Sequence, residues 1–152
     1  MTDFPLDALP GHHIRRLQQI AVAIFLEETA EFGITPVQFA ALQAIHTQPG
    51  LDQRSLARTI GYDTSTIGGV VDRLEKRGLV QRQASPTDRR VRQLLLTDEG
   101  RRVLALIMAP MQRAQHRMLA PLPEAERAEF MRLLQVLVQG NNEVARAPGE
   151  LG

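Results

Sequence analysis

Between His12 and Phe32 the apolar residues Ile14, Leu17, Ala21, Ile24 and Phe25 fall three, four, three and one positions apart. That spacing lines one face of an α-helix, and Gly33 follows as a terminator. The dozen residues ahead of it, rich in Pro, Asp and Gly, predict a short irregular arm. Thr35-Pro36-Val37-Gln38 then opens a second helix: Thr35 caps, Pro36 suits the first turn, and Gln38 closes a capping box. Pro49-Gly50 ends that helix after Thr47. Asp52 caps a short third helix that Gly61 stops, and Asp63 caps a fourth that runs to Gly78. The pattern then changes: Leu79 to Ala84 and Arg90 to Leu96 read as strands on either side of Ser85-Pro86-Thr87-Asp88-Arg89, which predicts a β-hairpin. Asp98 and Glu99 favour a helix start, and Leu104, Ile107, Met108, Met111, Met118 and Leu119 carry a fifth helix that Pro110 should bend. Pro121 and Pro123 end it. Phe130, Leu133, Leu134, Leu137 and Val138 mark a sixth helix, with a frayed tail after Gly140. The expected class is mainly α with a small β-hairpin, a single domain spanning residues 1–152.

Composition narrows the functions open to such a fold. No run approaches the roughly 20 apolar residues of a membrane span, and no basic-then-apolar leader opens the chain, so a cytoplasmic protein with no membrane partner is expected. The absence of cysteine excludes disulfides, thiolate-bound metal and sulfur-based redox sensing. His, Asp and Glu stand at no metal-ligand spacing, and no metal or cofactor is expected. The net charge of +1 averages two unlike regions. Residues 51–97 hold nine basic and five acidic side chains, a net +4, against nine and twelve elsewhere, a net −3. A basic middle between acidic arms is the asymmetry of a chain whose central segment meets phosphate.

Within that basic segment lie the positions a helix-turn-helix requires. Ala57 is the small residue where two helices touch, Gly61 sits in the turn, and Ile67 and Val70 face back from the second helix, with Leu56, Ile60 and Tyr62 as further inward positions. A second helix lying in the major groove presents its N-terminal outward residues to base edges. Those are Thr64, Ser65, Thr66 and Gly68, with Gly69 beside them, while Arg73 and Lys76 lie further along for phosphates. Thr64 to Thr66 would also serve as plain helix caps, and Asp72 suits a pairing with a nearby arginine. In the hairpin, Asp88-Arg89-Arg90 places long cations where they reach the narrow, electronegative minor groove, with Arg90 as the inserted residue and Asp88 as its positioner. The bland alternative is a solvated charged turn.

The run Val70-Val71-Asp72-Arg73-Leu74-Glu75-Lys76-Arg77-Gly78-Leu79-Val80, then Asp88-Arg89-Arg90 and Leu96-Thr97-Asp98-Glu99-Gly100, closely resembles the signature of the multiple-antibiotic-resistance regulator (MarR) family. The helix order with a wing between the fourth and fifth helices is also similar, so the resemblance covers about residues 16–138. It implies a winged helix-turn-helix with N- and C-terminal dimerisation helices. About 35–97 would form the DNA-binding lobe, with about 12–33 and 98–145 as dimerisation helices. It further implies an obligate homodimer, a recognition helix in consecutive major grooves, a wing arginine in the minor groove, and phenolic or carboxylate effectors that weaken DNA binding. The apolar stripes of the first, fifth and sixth helices agree on the dimer, since they exceed what a small DNA-binding core can cover. A two-fold dimer reads half-sites about 34 Å apart on a near-palindromic operator of double-stranded DNA. The missing cysteines exclude the peroxide-sensing branch of the family.

On the first helix, His13 and Arg16 border the apolar stripe beside Ile20, where a carboxylate could pair with the cations while its ring packs on aliphatic carbon. The segment Pro10 to Arg16 is similar to the start of members that respond to aromatic acids. The alternative is a structural histidine beside a solvated arginine, and His46 and His116 read as structural too. An enzyme would need a nucleophile with its base, paired carboxylates or a phosphate-binding glycine loop. The sequence offers none, and catalytic residues are expected to be absent. Two further readings remain: a winged-helix module for protein–protein assembly, and a MarR-type regulator without a small-molecule effector.

Overall fold

The computed structural model describes residues 3–144. The end of the expected tail, including residue 145 of the expected dimerisation segment, lies outside the described residues. A 3-10 turn over Leu6–Ala8 leads into α1, Pro10–Glu28. The helix starts two residues before His12, because Pro10 fits the first turn, where its missing N–H costs nothing. It also stops four residues before Phe32. The Thr29 hydroxyl donates to the Phe25 carbonyl oxygen at 2.7 Å, a 3-10 turn follows over Ala30–Phe32, and Gly33 takes φ 60°, a left-handed conformation that favours glycine.

Helix α2, Pro36–Thr47, opens on the expected capping box between Thr35 and Gln38. Helix α3, Gln53–Ile60, is capped by Asp52, whose carboxylate accepts from the Ser55 N–H at 2.7 Å. Gly61 ends α3 at φ 76° and turns the chain into α4, Thr64–Lys76, capped by Asp63. Strand β1, Val80–Ala84, pairs antiparallel with β2, Arg92–Leu96, with Val80 opposite Leu96 and Arg82 opposite Leu94. The second strand begins at Arg92 and not at Arg90. The Val91 N–H donates to the Asp88 carbonyl and the Ser85 N–H to the Val91 carbonyl, which closes the loop on itself and leaves Arg89 and Arg90 at its tip. Helix α5, Asp98–Leu119, continues through Pro110 without interruption, and α6 covers Glu124–Gly140.

Leu42 and Ile45 of α2, Leu56 of α3, Ile67, Val71 and Leu74 of α4, Leu94 of β2 and Ile107 of α5 form one buried core. The inward positions of the helix-turn-helix lie where expected, with one correction. Tyr62 is 43% exposed, because it follows the left-handed Gly61 that turns the chain out of α3, and its N–H donates to the Ala57 carbonyl. Helices α1 and α5 are tied by Glu28, which accepts from Arg113 and Arg117 at 3.1 Å each. These two hydrogen bonds hold its carboxyl below the usual range. No residue of helix α6 is fully buried within the chain, and Phe130 and Leu134 are only half-buried. Its Met131, Leu133, Val136, Leu137 and Val138 are exposed, as are Ile14 and Ile20 of α1. Among the described residues, no helix is long and apolar enough to cross a membrane.

The Asp52 cap carries a pH prediction. Its pKa is lowered, first by the Ser55 backbone hydrogen bond. A depressed folded value means that its contribution is fully present above the ordinary aspartate range and is lost as pH falls through the lowered value. Asp52→Ala should therefore cost about 1 kcal/mol at neutral pH and progressively less in acid. Urea unfolding at pH 7 and pH 3 measures both, and an equal cost at the two pH values would contradict the cap.

Candidate nucleic-acid interface

Helix α4 buries Ile67, Val70, Val71 and Leu74. The 100° step per residue then sets Ser65, Gly69, Asp72, Arg73 and Lys76 on the opposite face. Ser65 and Thr66 are exposed and Thr64 is half-buried. Asp63 divides the hydroxyls by role. It accepts from both the Thr66 N–H and the Thr66 hydroxyl, so that hydroxyl serves the cap, while Ser65 has no such bond. Gly68 is not on the open face. A Cβ there would meet Gln53 Nε2 at 3.0 Å, whereas nothing lies within 4 Å of one on Gly69. Gly69 is therefore the glycine that faces open space, and Gly68 makes room for Gln53. Arg73 and Lys76 are exposed on the same face and form no ion pair among the described residues.

Gln53 escaped the sequence reading. Its Nε2 donates to the Thr64 carbonyl at 3.2 Å, and its Oε1 accepts from Arg82 at 3.4 Å. Arg82, only 19% exposed in its side chain, also binds Asp72 at 2.7 Å and Glu75 at 3.0 Å. Asp72 thus has the expected arginine partner. The group as a whole joins α3, α4 and β1 through side chains. It left no local signal, since Gln53 and Arg82 lie 29 residues apart. Arg54 and Arg58 were also passed over as contacts. Both are exposed and stand one turn apart on α3, the helix that crosses the backbone in this motif.

At the hairpin tip, Ser85 Oγ accepts from the Thr87 and Asp88 N–H groups. Asp88 Oδ1 accepts from the Arg90 N–H at 3.0 Å and lies 3.6 Å from Arg90 Nε. The Arg90 side chain is 95% exposed, and Arg89 is exposed beside it. An aspartate thus aligns an extended guanidinium at the end of a rigid hairpin.

The α1 residues are arranged differently. His13 Nε2 lies 2.8 Å from the Asp7 carbonyl oxygen, so it donates there. Arg16 and Ile20 are exposed on the same helix. Within one chain the three stand exposed along one helix. A cleft of about 600 Å³ lies elsewhere, between α2, the hairpin and the start of α5, with Ile45, His46, Gln81 and Leu95 in its wall. Its arginine, Arg101, is already bound to the Leu96 carbonyl and to Asp98.

A helix-turn-helix joined to an arginine-tipped hairpin defines a winged-helix DNA-binding regulator. Residues 34–91 match the model of the MarR family. A proposed transcriptional regulatory protein for the hcr operon of Thauera aromatica is 39% identical over 134 residues, 88% of this chain and 81% of that one. The PcaV transcriptional regulator of Streptomyces coelicolor, solved with its natural ligand, is 38% identical with a TM-score of 0.83, over 91% of this chain and 98% of that one. The transcriptional repressor CouR, bound to a 23-mer DNA duplex, is 31% identical with a TM-score of 0.83, over 90% and 99%. CouR, from Rhodococcus jostii RHA1, has also been solved with p-coumaroyl-CoA. The chain belongs to the MarR family.

Proposed function

We propose that the chain is a homodimeric transcriptional repressor of the cytoplasm that binds a near-palindromic operator and is released from it by a small aromatic carboxylate or phenol. The observation that carries the DNA reading is the wing tip, where Asp88 aligns an exposed Arg90. Thr64, Ser65 and Thr66 stand at the start of the recognition helix, with Gly69 rather than Gly68 as the point of close approach. Arg73, Lys76 and Arg89 supply phosphate contacts. Residues 35–97 act as the DNA-binding lobe. The segments 12–33 and 98–145 act as the dimerisation body, which the uncovered apolar faces of α1 and α6 support. No step of this function is catalytic.

The effector reading places a carboxylate against His13 and Arg16, with its ring on Ile20. Their openness within one chain is what a site completed by the second subunit requires, and CouR binds a ligand with a phenol ring. The test uses the protein's own upstream intergenic DNA and fluorescence anisotropy, with benzoate, salicylate and hydroxycinnamate titrated in turn. One acid should release the DNA, and Arg16→Ala should raise the concentration needed by about tenfold or more while leaving DNA affinity intact. Tight DNA binding indifferent to every acid would remove the His13, Arg16 and Ile20 site and keep the wing and recognition helix. A chain with no salt-sensitive DNA affinity would instead favour protein–protein assembly.

A further inference from the structure

Exposure alone does not mark a cation of the basic segment as a DNA contact. At the end of α4, Arg77 turns back across 44 and 45 positions of sequence. Its Nη1 donates to the Gly33 carbonyl at 2.9 Å and its Nη2 to the Phe32 carbonyl at 2.8 Å. Both acceptors belong to the turn that links α1 to α2. Beside Arg77, the chain leaving α4 is held from a second side. The Thr97 hydroxyl donates to the Gly78 carbonyl at 2.6 Å, and the Thr97 N–H to the Leu79 carbonyl at 3.1 Å. The exit of the recognition helix is thereby pinned at two points, by Arg77 to the turn that follows α1 and by Thr97 to the N-cap of α5.

We infer that Arg77 is a positioning residue that sets the half-site spacing the dimer accepts, and that it is not one of the phosphate contacts. This rests on the operator-binding reading above. In a two-fold dimer, the distance between the two recognition helices is fixed by how each α4 stands on the body that carries the two-fold axis. A guanidinium that spends two donors on adjacent carbonyls holds a planar, directional joint, whereas Thr97 alone leaves α4 a pivot. Loss of Arg77 therefore loosens the distance between the two recognition helices without removing a cation from the DNA surface.

Two measurements separate this role from a phosphate contact and from simple destabilisation. The probe is the duplex that wild-type protein selects from a randomised pool, together with versions carrying one base pair more or fewer at its centre. Arg77→Ala should bind the selected duplex about tenfold more weakly, with the slope of log affinity against log salt unchanged. It should also lose much less than wild type does on the two altered spacings. Arg77→Lys, which keeps the charge and can reach one carbonyl, should recover part of the spacing preference. A slope shallower by about 0.9 would mark Arg77 as a phosphate contact and overturn the inference, as would a spacing penalty equal to that of wild type. If Arg77→Ala unfolds, Arg77→Gln, with two donors but no charge, carries the same comparison. If wild-type protein selects no duplex at all, the operator-binding reading itself fails, a result distinct from the other two.

Discussion

Replacing Gly100 by alanine is expected to lower the stability of the protein by at least about 3 kcal/mol, beyond the usual range for a single added methyl group in a packed interior. A Cβ at this position would stand 2.0 Å from the Leu79 carbonyl oxygen and 3.0 Å from its carbon. Neither atom can rotate aside, as a side chain would, because both belong to the backbone between α4 and β1. The first turn of α5 would have to lift. The Leu79 oxygen is also the acceptor for the Thr97 N–H, and the Thr97 hydroxyl both caps the Gly100 N–H at 3.0 Å and binds the Gly78 carbonyl. One methyl group therefore opposes the two hydrogen bonds that hold the start of α5 against the chain leaving α4, together with the N-cap bond of α5 itself. Urea unfolding at a fixed protein concentration measures the loss, since a dimer's midpoint depends on concentration. Gly69→Ala is the matched control. It has the same chemistry in open space, and its helix-interior position should gain up to about 1 kcal/mol. Comparable outcomes for the two variants would mean that α5 does not seat on Leu79.

The contrast between these two glycines shows which parts of the molecule a sequence reading reaches. Capping boxes, helix stops and the apolar faces of α2, α3 and α4 were legible because each is written within one or two helical turns. Thr35 with Gln38, Asp52 before Ser55 and Gly61 at the turn all lie where their local chemistry places them. The space beside Gly68 was not legible because it depends on what packs against α4, and Gln53 lies 15 positions away in sequence, on another helix. Tyr62 reads as apolar, yet its place depends on the direction in which Gly61 releases the chain. The start of β2 was set by hydrogen bonds inside the loop, which cost the predicted strand its first two residues. The joints made by Arg77 and Arg82 carry no local mark at all. A basic segment counts every arginine alike, and only the fold shows that Arg77 and Arg82 are bound by the protein itself. The effector site proposed on α1 rests on chemistry, for the chain alone leaves His13, Arg16 and Ile20 open to solvent.

Arg90→Ala is expected to weaken operator binding by about 1–3 kcal/mol, roughly 5- to 150-fold, while leaving the dimer intact. The magnitude follows from the setting. The side chain is 95% exposed in the free protein, so its removal costs the fold little, and the narrow minor groove it would enter concentrates negative potential. The salt dependence of binding should fall by about one counterion if the contact is ionic. Asp88→Ala should cost less. Asp88 holds Arg90 by one backbone hydrogen bond at 3.0 Å and a looser approach to Nε at 3.6 Å, and an exposed pair of that kind contributes at most about 1 kcal/mol. The two changes should not add. Once Arg90 is gone, Asp88 has nothing left to align, so the double variant should bind about as well as Arg90→Ala alone. Anisotropy on the selected duplex, with sedimentation to follow the dimer, gives all four corners of that cycle. Full additivity would mean that Asp88 acts on DNA affinity through the shape of the loop and not through Arg90. Unchanged binding by Arg90→Ala would remove the wing from the interface altogether, and the helix-turn-helix would then have to supply the whole of the affinity, through Ser65, Arg73 and Lys76 of α4 and the arginines of α3.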